Sequence, residues 1–155
     1  MRASQLMRYK KSYPFSHRLN EFIFDFLEKE GIKYTVVDED IPESEVLNQD
    51  PKNLKIWSGG SENTIFGNPE ANYAFRAWHD YIHITKALDF SPLNEARVAF
   101  IQAAMLPEEW LFERYLILIE VIGQVLHHDA WGEFVPDQRL FTCQMMYHGF
   151  GTKQT

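Results

Sequence analysis

The stretch that most limits how this chain can fold is Asn72 to Leu88, NYAFRAWHDYIHITKAL. It reads as a helix, and Tyr73, Phe75, Trp78, Tyr81, Ile82, Ile84 and Leu88 cover most of its circumference, so it belongs in the interior. Yet it carries Arg76, His79, Asp80 and His83. Asn72, Arg76, His79 and His83 recur at i, i+4, i+7 and i+11, which puts them on one stripe. Buried polar groups without partners are costly, so the fold must supply partners for this stripe, and the stripe is the leading candidate for a functional site.

Other helices repeat the anomaly. Glu120 sits inside YLILIEVIGQ, a run in which a carboxylate has little access to water. It shares a stripe with Glu113, Gln124 and His127, and Gly123 beside it leaves room for a close approach or a ligand. Buried there, the carboxylate must be protonated, paired with a cation or bound to a metal. Glu95 and Gln102, seven residues apart, mark a third polar stripe. The simplest arrangement has the three stripes facing one another.

The surrounding sequence indicates a mostly helical α+β domain, with a three- or four-helix core and a two- or three-stranded sheet from the N-terminal third. Ser16 to Glu30 is an amphipathic helix with Ser16 as cap and Gly31 as terminator. Ile32 to Asp38 and Leu54 to Trp57 read as strands, with Thr64 to Phe66 as a further short one. Between the first two lies the acidic segment Asp38 to Asn53, which lacks the spacing of a calcium loop and reads as solvated, with a helical turn near Ser44 to Leu47. Ser58-Gly59-Gly60-Ser61 matches no phosphate-binding pattern and reads as a tight turn. Asn68-Pro69 and Ser91-Pro92 start helices, and a third is expected from Pro107 to about His128. Arg139 to Tyr147 suits a terminal strand or helix. The expected layout is a basic arm over residues 1–15, one domain over 16–148 and a tail over 149–155.

Composition narrows the functional classes. The 155 residues have a formal charge of −7, which disfavours nucleic acid because that affinity comes largely from phosphate neutralisation. The single cysteine, Cys143, permits no internal disulfide and suits a reducing, cytoplasmic compartment. It reads as a core residue. No run is long enough to span a membrane, and the N-terminus lacks the apolar segment of a secretory signal. There is no nucleophile elbow, P-loop, Cys-x-x-Cys ribbon or pair of Glu-x-x-His di-iron motifs.

His79-Asp80-Tyr81-Ile82-His83 places two imidazoles on one side of a helix, where both can reach one ion. These five residues resemble the H-E-x-x-H metalloprotease motif, with Asp in place of the catalytic Glu, a departure that puts peptidase activity in doubt. His127-His128-Asp129, with Asp137 beyond, resembles in looser form the His-Asp pattern of the HD phosphohydrolases. It also fits histidines favoured by a helix C-terminus.

Two functional expectations follow. One is a small metal-dependent hydrolase. His79, His83 and Glu120 would hold zinc, iron or manganese, with Glu95 the alternative third ligand. Asp80 or the other glutamate would move protons, and Arg76 would bind an anionic group of a small-molecule or peptide substrate. The other is a non-catalytic acidic accessory protein, of a kind suited to a virus, which contacts a protein partner through Trp57, Phe66, Trp131 and Phe134. In that case the polar stripes serve only the fold.

Overall fold

The computed structural model describes residues 13–149. The basic arm and the tail expected at the two ends lie almost entirely outside the described residues.

Helix α1 (His17–Glu30) begins where Ser16 Oγ accepts from Leu19 N and ends at Gly31, whose φ of 65° lets its N–H reach the carbonyls of Leu27 and Glu28. Leu19, Ile23 and Leu27 form its buried face. Strands β1 (Lys33–Val37) and β2 (Asn53–Trp57) pair in parallel, in register from Lys33 with Asn53 to Val37 with Trp57. A parallel pair needs a crossover, and the acidic segment supplies it, including the short helix α2 (Glu43–Leu47). Leu54 and Ile56 alternate into the core.

The strand expected at Thr64 to Phe66 does not form. These three residues are buried in an irregular stretch. Its carbonyls accept from Phe15 N, Asn20 Nδ2 and Arg139 Nη1 rather than from a third strand, so the sheet has two strands.

Helix α3 (Pro69–Lys86) is the interior helix the sequence demanded. Asn68 Oδ1 accepts from Ala71 N and Pro69 opens the first turn. Trp78 is fully buried and is surrounded by Phe22, Phe26 and Phe75. Alanines at 71, 74 and 77 are also fully buried and let neighbouring elements approach. Helix α4 (Pro92–Met105) packs against α3 and against the next helix.

That next helix starts later than expected. Pro107 to Trp110 forms a turn, with Trp110 N bonded to Pro107 O, and α5 (Leu111–Leu118) follows. A π-helical segment, Ile119–Gly123, then leads without a break in helical backbone into α6 (Gln124–Trp131). The last element, α7 (Gln138–His148), is a helix capped by Asp137, whose Oδ1 accepts from Leu140 N. Cys143 on α7 is exposed, contrary to the expectation of a core thiol. Of the aromatics expected in surface loops, Phe66 is buried, whereas Trp131 and Phe134 are exposed. No helix among the described residues is long and apolar enough to cross a membrane.

Candidate metal centre

The stripe on α3 finds a partner for each of its members. Asn72 donates to Ser61 Oγ at 2.8 Å and Arg76 Nη1 to Trp57 O at 2.6 Å. His79 Nδ1 lies 2.9 Å from Gln102 Oε1, and His83 Nδ1 lies 2.9 Å from Leu88 O.

The His83 contact decides a tautomer. A carbonyl can only accept, so His83 Nδ1 carries the proton and the Nε2 of the neutral ring is a bare lone pair. The local fold enforces this. Helix α3 closes with Ala87 in the left-handed region (φ 52°) and Leu88 N bonded to His83 O at 2.9 Å, a Schellman-type ending. Leu88 therefore holds both the backbone and the ring of His83, and Phe90 stacks on the ring at 4.1 Å. Gln102 engages the outer nitrogen of His79, leaving His79 Nε2 as the inner nitrogen.

The two Nε2 atoms face each other at 3.0 Å. Glu95, in the first turn of α4 where the helix dipole favours a carboxylate, brings Oε1 to 2.9 Å from His83 Nε2 and Oε2 to 3.3 Å from His79 Nε2. Although Oε1 is that close, it has no donor aligned with it. Two imidazole lone pairs and a carboxylate converging in this way require a cation between them, either a proton or a metal ion. Donors about 2.0–2.1 Å from one ion and about 90–110° apart lie roughly 2.9–3.4 Å from each other, and the Nε2–Nε2 separation of 3.0 Å and the His83 Nε2–Glu95 Oε1 separation of 2.9 Å fall in that range. His79, His83 and Glu95 thus form a group that could hold a metal ion. Their outer hydrogen bonds to Gln102 and Leu88 are of the kind that orient histidine ligands.

The electrostatics are those of a tightly coupled cluster. Burial alone raises a carboxyl, but the two histidines outweigh it and hold Glu95 down at about 2. Burial lowers His79, yet Glu95, Asp80 and Gln102 outweigh it and leave the imidazole raised. Asp80 flanks the cluster, and burial pushes its carboxyl up to about 6 against the pull of His79 and His83.

Glu120 lies outside the three-residue group. Like His79 and Glu95 it lines a cleft of about 430 Å³, together with Arg76, Gln124 and the apolar side chains of Phe75, Phe90, Val121, Val125 and Phe134. Burial raises the Glu120 carboxyl to about 8, against smaller downward pulls from Gln124, Arg76 and His79. Its Oε2 is buried without a hydrogen-bond partner. Glu120 belongs to the π-helical segment, a distortion frequent at functional sites. Gly123 in the same segment packs so tightly that an added Cβ would lie 3.1 Å from the Phe141 ring.

The remaining polar residues go elsewhere. Glu113 turns away to α1, accepting from Arg18 Nε at 2.7 Å, Arg18 Nη2 at 2.9 Å and Ser16 Oγ at 2.9 Å. His127 meets the edge of Phe141, and His128 lies against Phe134 on the cleft rim. Asp137 is engaged in capping α7, so the looser His-Asp pattern is not gathered into a site. Two parts of the centre had little sequence signal: the orienting carbonyl of Leu88, which any residue could supply, and the π distortion at Glu120. The i, i+7 spacing of Glu95 and Gln102 did mark the α4 face that meets the histidines.

No protein-family model matches the chain, and comparison with curated proteins and with solved structures likewise found no match.

Proposed function

We propose that the protein is a small metal-dependent hydrolase, with His79, His83 and Glu95 as the ligands of a divalent cation. The observation that carries this reading is the convergence of two inward-facing Nε2 atoms, that of His83 fixed by the Leu88 carbonyl, and a carboxylate beside a cleft of about 430 Å³, a volume in the range of small-ligand sites. Two histidines and one glutamate are the donor set of catalytic zinc sites that keep a position open for water; the same set also suits iron(II). Bound there, the cation would polarise the scissile carbonyl or phosphoryl group and make water nucleophilic near neutral pH.

The chain's own residues supply the rest. Glu120, protonated in its buried setting and lining the same cleft, would give a proton to a leaving group and, once ionised, take one back. Asp80, next to a ligand, tunes the imidazole field. These assignments give Glu95 the ligand role and Glu120 the acid–base role, because Glu95 and not Glu120 meets the histidines.

The test is metal analysis of tag-free protein, with and without added zinc, iron(II) or manganese. About one equivalent per chain is expected, lost in His83→Ala and Glu95→Gln and retained in Glu120→Gln. A folded protein that takes up none of the three metals would make the cluster a protonated structural network and remove the hydrolase reading.

A further inference from the structure

Arg76 raises a separate question. It lies on α3 three residues before His79, and the helical rise separates them by about 4.5 Å along the axis. Its Nη1 is spent on Trp57 O at the end of β2, and its guanidinium sits 5.9 Å from the centre of the Trp57 ring. The Trp57 indole packs on Gly59, where a Cβ would collide with it, and its Nε1 donates to Asp38 O at 3.2 Å. On the other side of the guanidinium, Nη2 lies next to Gly60, whose carbonyl accepts from Gln138 Nε2 at 3.1 Å. The Trp57 carbonyl therefore holds Arg76 at the end of the strand, with the Gly60 loop beside it.

Its charge, by contrast, has no direct ion-pair partner. No carboxylate among the described residues forms an ion pair with it. Burial lowers its pKa, against the pulls of Glu120, Asp80, Tyr73 and Asp40. Glu120 offers no counter-charge while it stays protonated. A desolvated guanidinium without a counter-ion is expensive, and a single backbone acceptor would be met as well by a neutral donor. The remaining donors are free to engage a ligand in the cleft.

We propose that Arg76 is an anion subsite, and that the cleft takes a small molecule with a carboxylate at one end and an apolar body. This rests on the metal-centre reading only for the fate of the substrate, not for its binding. A monoanion fits better than a phosphate dianion because Glu43, Glu95 and Asp129 also line the cleft and repel negative charge. A carboxylate matches the planar, two-donor edge of a guanidinium. Phe75, Phe90, Val121, Val125 and Phe134 supply the apolar wall.

The experiment compares 3-phenylpropanoate, its neutral amide and inorganic phosphate by calorimetric titration into the full-length protein, metal-free and zinc-loaded. The acid is expected to bind about ten- to a hundred-fold tighter than the amide in both forms, as a charge-assisted pair implies. Arg76→Gln should bring the two within about threefold while zinc uptake is unchanged, and Arg76→Lys should keep part of the preference. Equal binding of acid and amide, or a preference that survives Arg76→Gln, overturns the subsite; survival in the zinc-loaded form alone would put the carboxylate on the metal. Phosphate binding tighter than the acid overturns the carboxylate assignment. Should the glutamine variant fail to fold, the Arg76 Nε–H resonance of wild type decides: it must shift with acid and not with amide. Failure of the metal reading shows separately as absent zinc uptake, since the preference is also read in metal-free protein.

Discussion

Glu120 carries the clearest titration signature of any single residue in the cleft. Its folded pKa near 8 lies above the ordinary carboxylate value of 4.5, so the native state binds a proton that the unfolded chain has already lost. The stability this lends is full below about pH 4.5 and drains away as pH rises through 8. Urea unfolding of metal-free wild type and Glu120→Gln should therefore diverge with pH. Between pH 5.5 and 8.5 the variant should gain roughly 1–3 kcal/mol relative to wild type, less than the whole shift would give because water reaches the cleft. A difference independent of pH would mean the carboxyl is already ionised. Ala87 is the second residue with a sharp expectation. Its φ of 52° suits glycine, so Ala87→Gly should stabilise the protein by about 0.5–1 kcal/mol in the same assay, without disturbing the Leu88 bonds to His83.

At the scale of elements, α1 and α5 are clasped by one carboxylate. Glu113 is buried and accepts from both Ser16 and Arg18, and the arginine, whose face covers Trp110 at 4.5 Å, is half exposed. The hydrogen bond from Arg18 chiefly depresses the Glu113 pKa, against burial and with help from Ser16. That contribution is present above the ordinary carboxylate range and is lost as pH falls through the lower folded value. Glu113→Gln should cost about 1–2 kcal/mol at neutral pH, limited because Arg18 can return to water. The penalty should shrink toward zero in acid, as measured by denaturation at pH 7 and pH 3. The paired helices α3 and α4 are joined differently, through His79, His83, Glu95 and Gln102, so changes there should act on metal uptake before they act on α1 and α5.

For the molecule as a whole, the proposed metal binding would be linked to folding. A cation held by α3 and α4 binds the native state and adds stability of RT ln(1 + [M]/Kd), about 2.7 kcal/mol at a hundredfold excess over Kd. The thermal midpoint of wild type should then rise by roughly 5–10 °C on saturation with zinc. His83→Ala should abolish that rise, and Glu120→Gln should keep it. Trp78→Ala, which empties the centre of the aromatic cluster, should cost about 3–5 kcal/mol with or without metal, and would separate loss of fold from loss of site.

What the amino-acid sequence determined by itself is the local grammar: an interior helix at Asn72 to Leu88, the caps at Ser16, Asn68 and Gly31, two strands, and polar stripes on helices that have no room for them. Hydrophobic periodicity and capping chemistry act over a few residues, so they can be read directly. Which stripe meets which was decided only by the tertiary structure. The sequence reading put Glu120 with the histidines and kept Glu95 as the alternative. Packing of α4 on α3 brought Glu95 to them, while the π-helical segment set Glu120 into the cleft wall. Glu113 in turn found Arg18, 95 positions away. The expected strand at Thr64 to Phe66 failed for the same reason: distant side chains and a loop amide claimed its carbonyls. Partner choice among buried polar groups depends on where whole helices come to rest, and no short-range pattern encodes that.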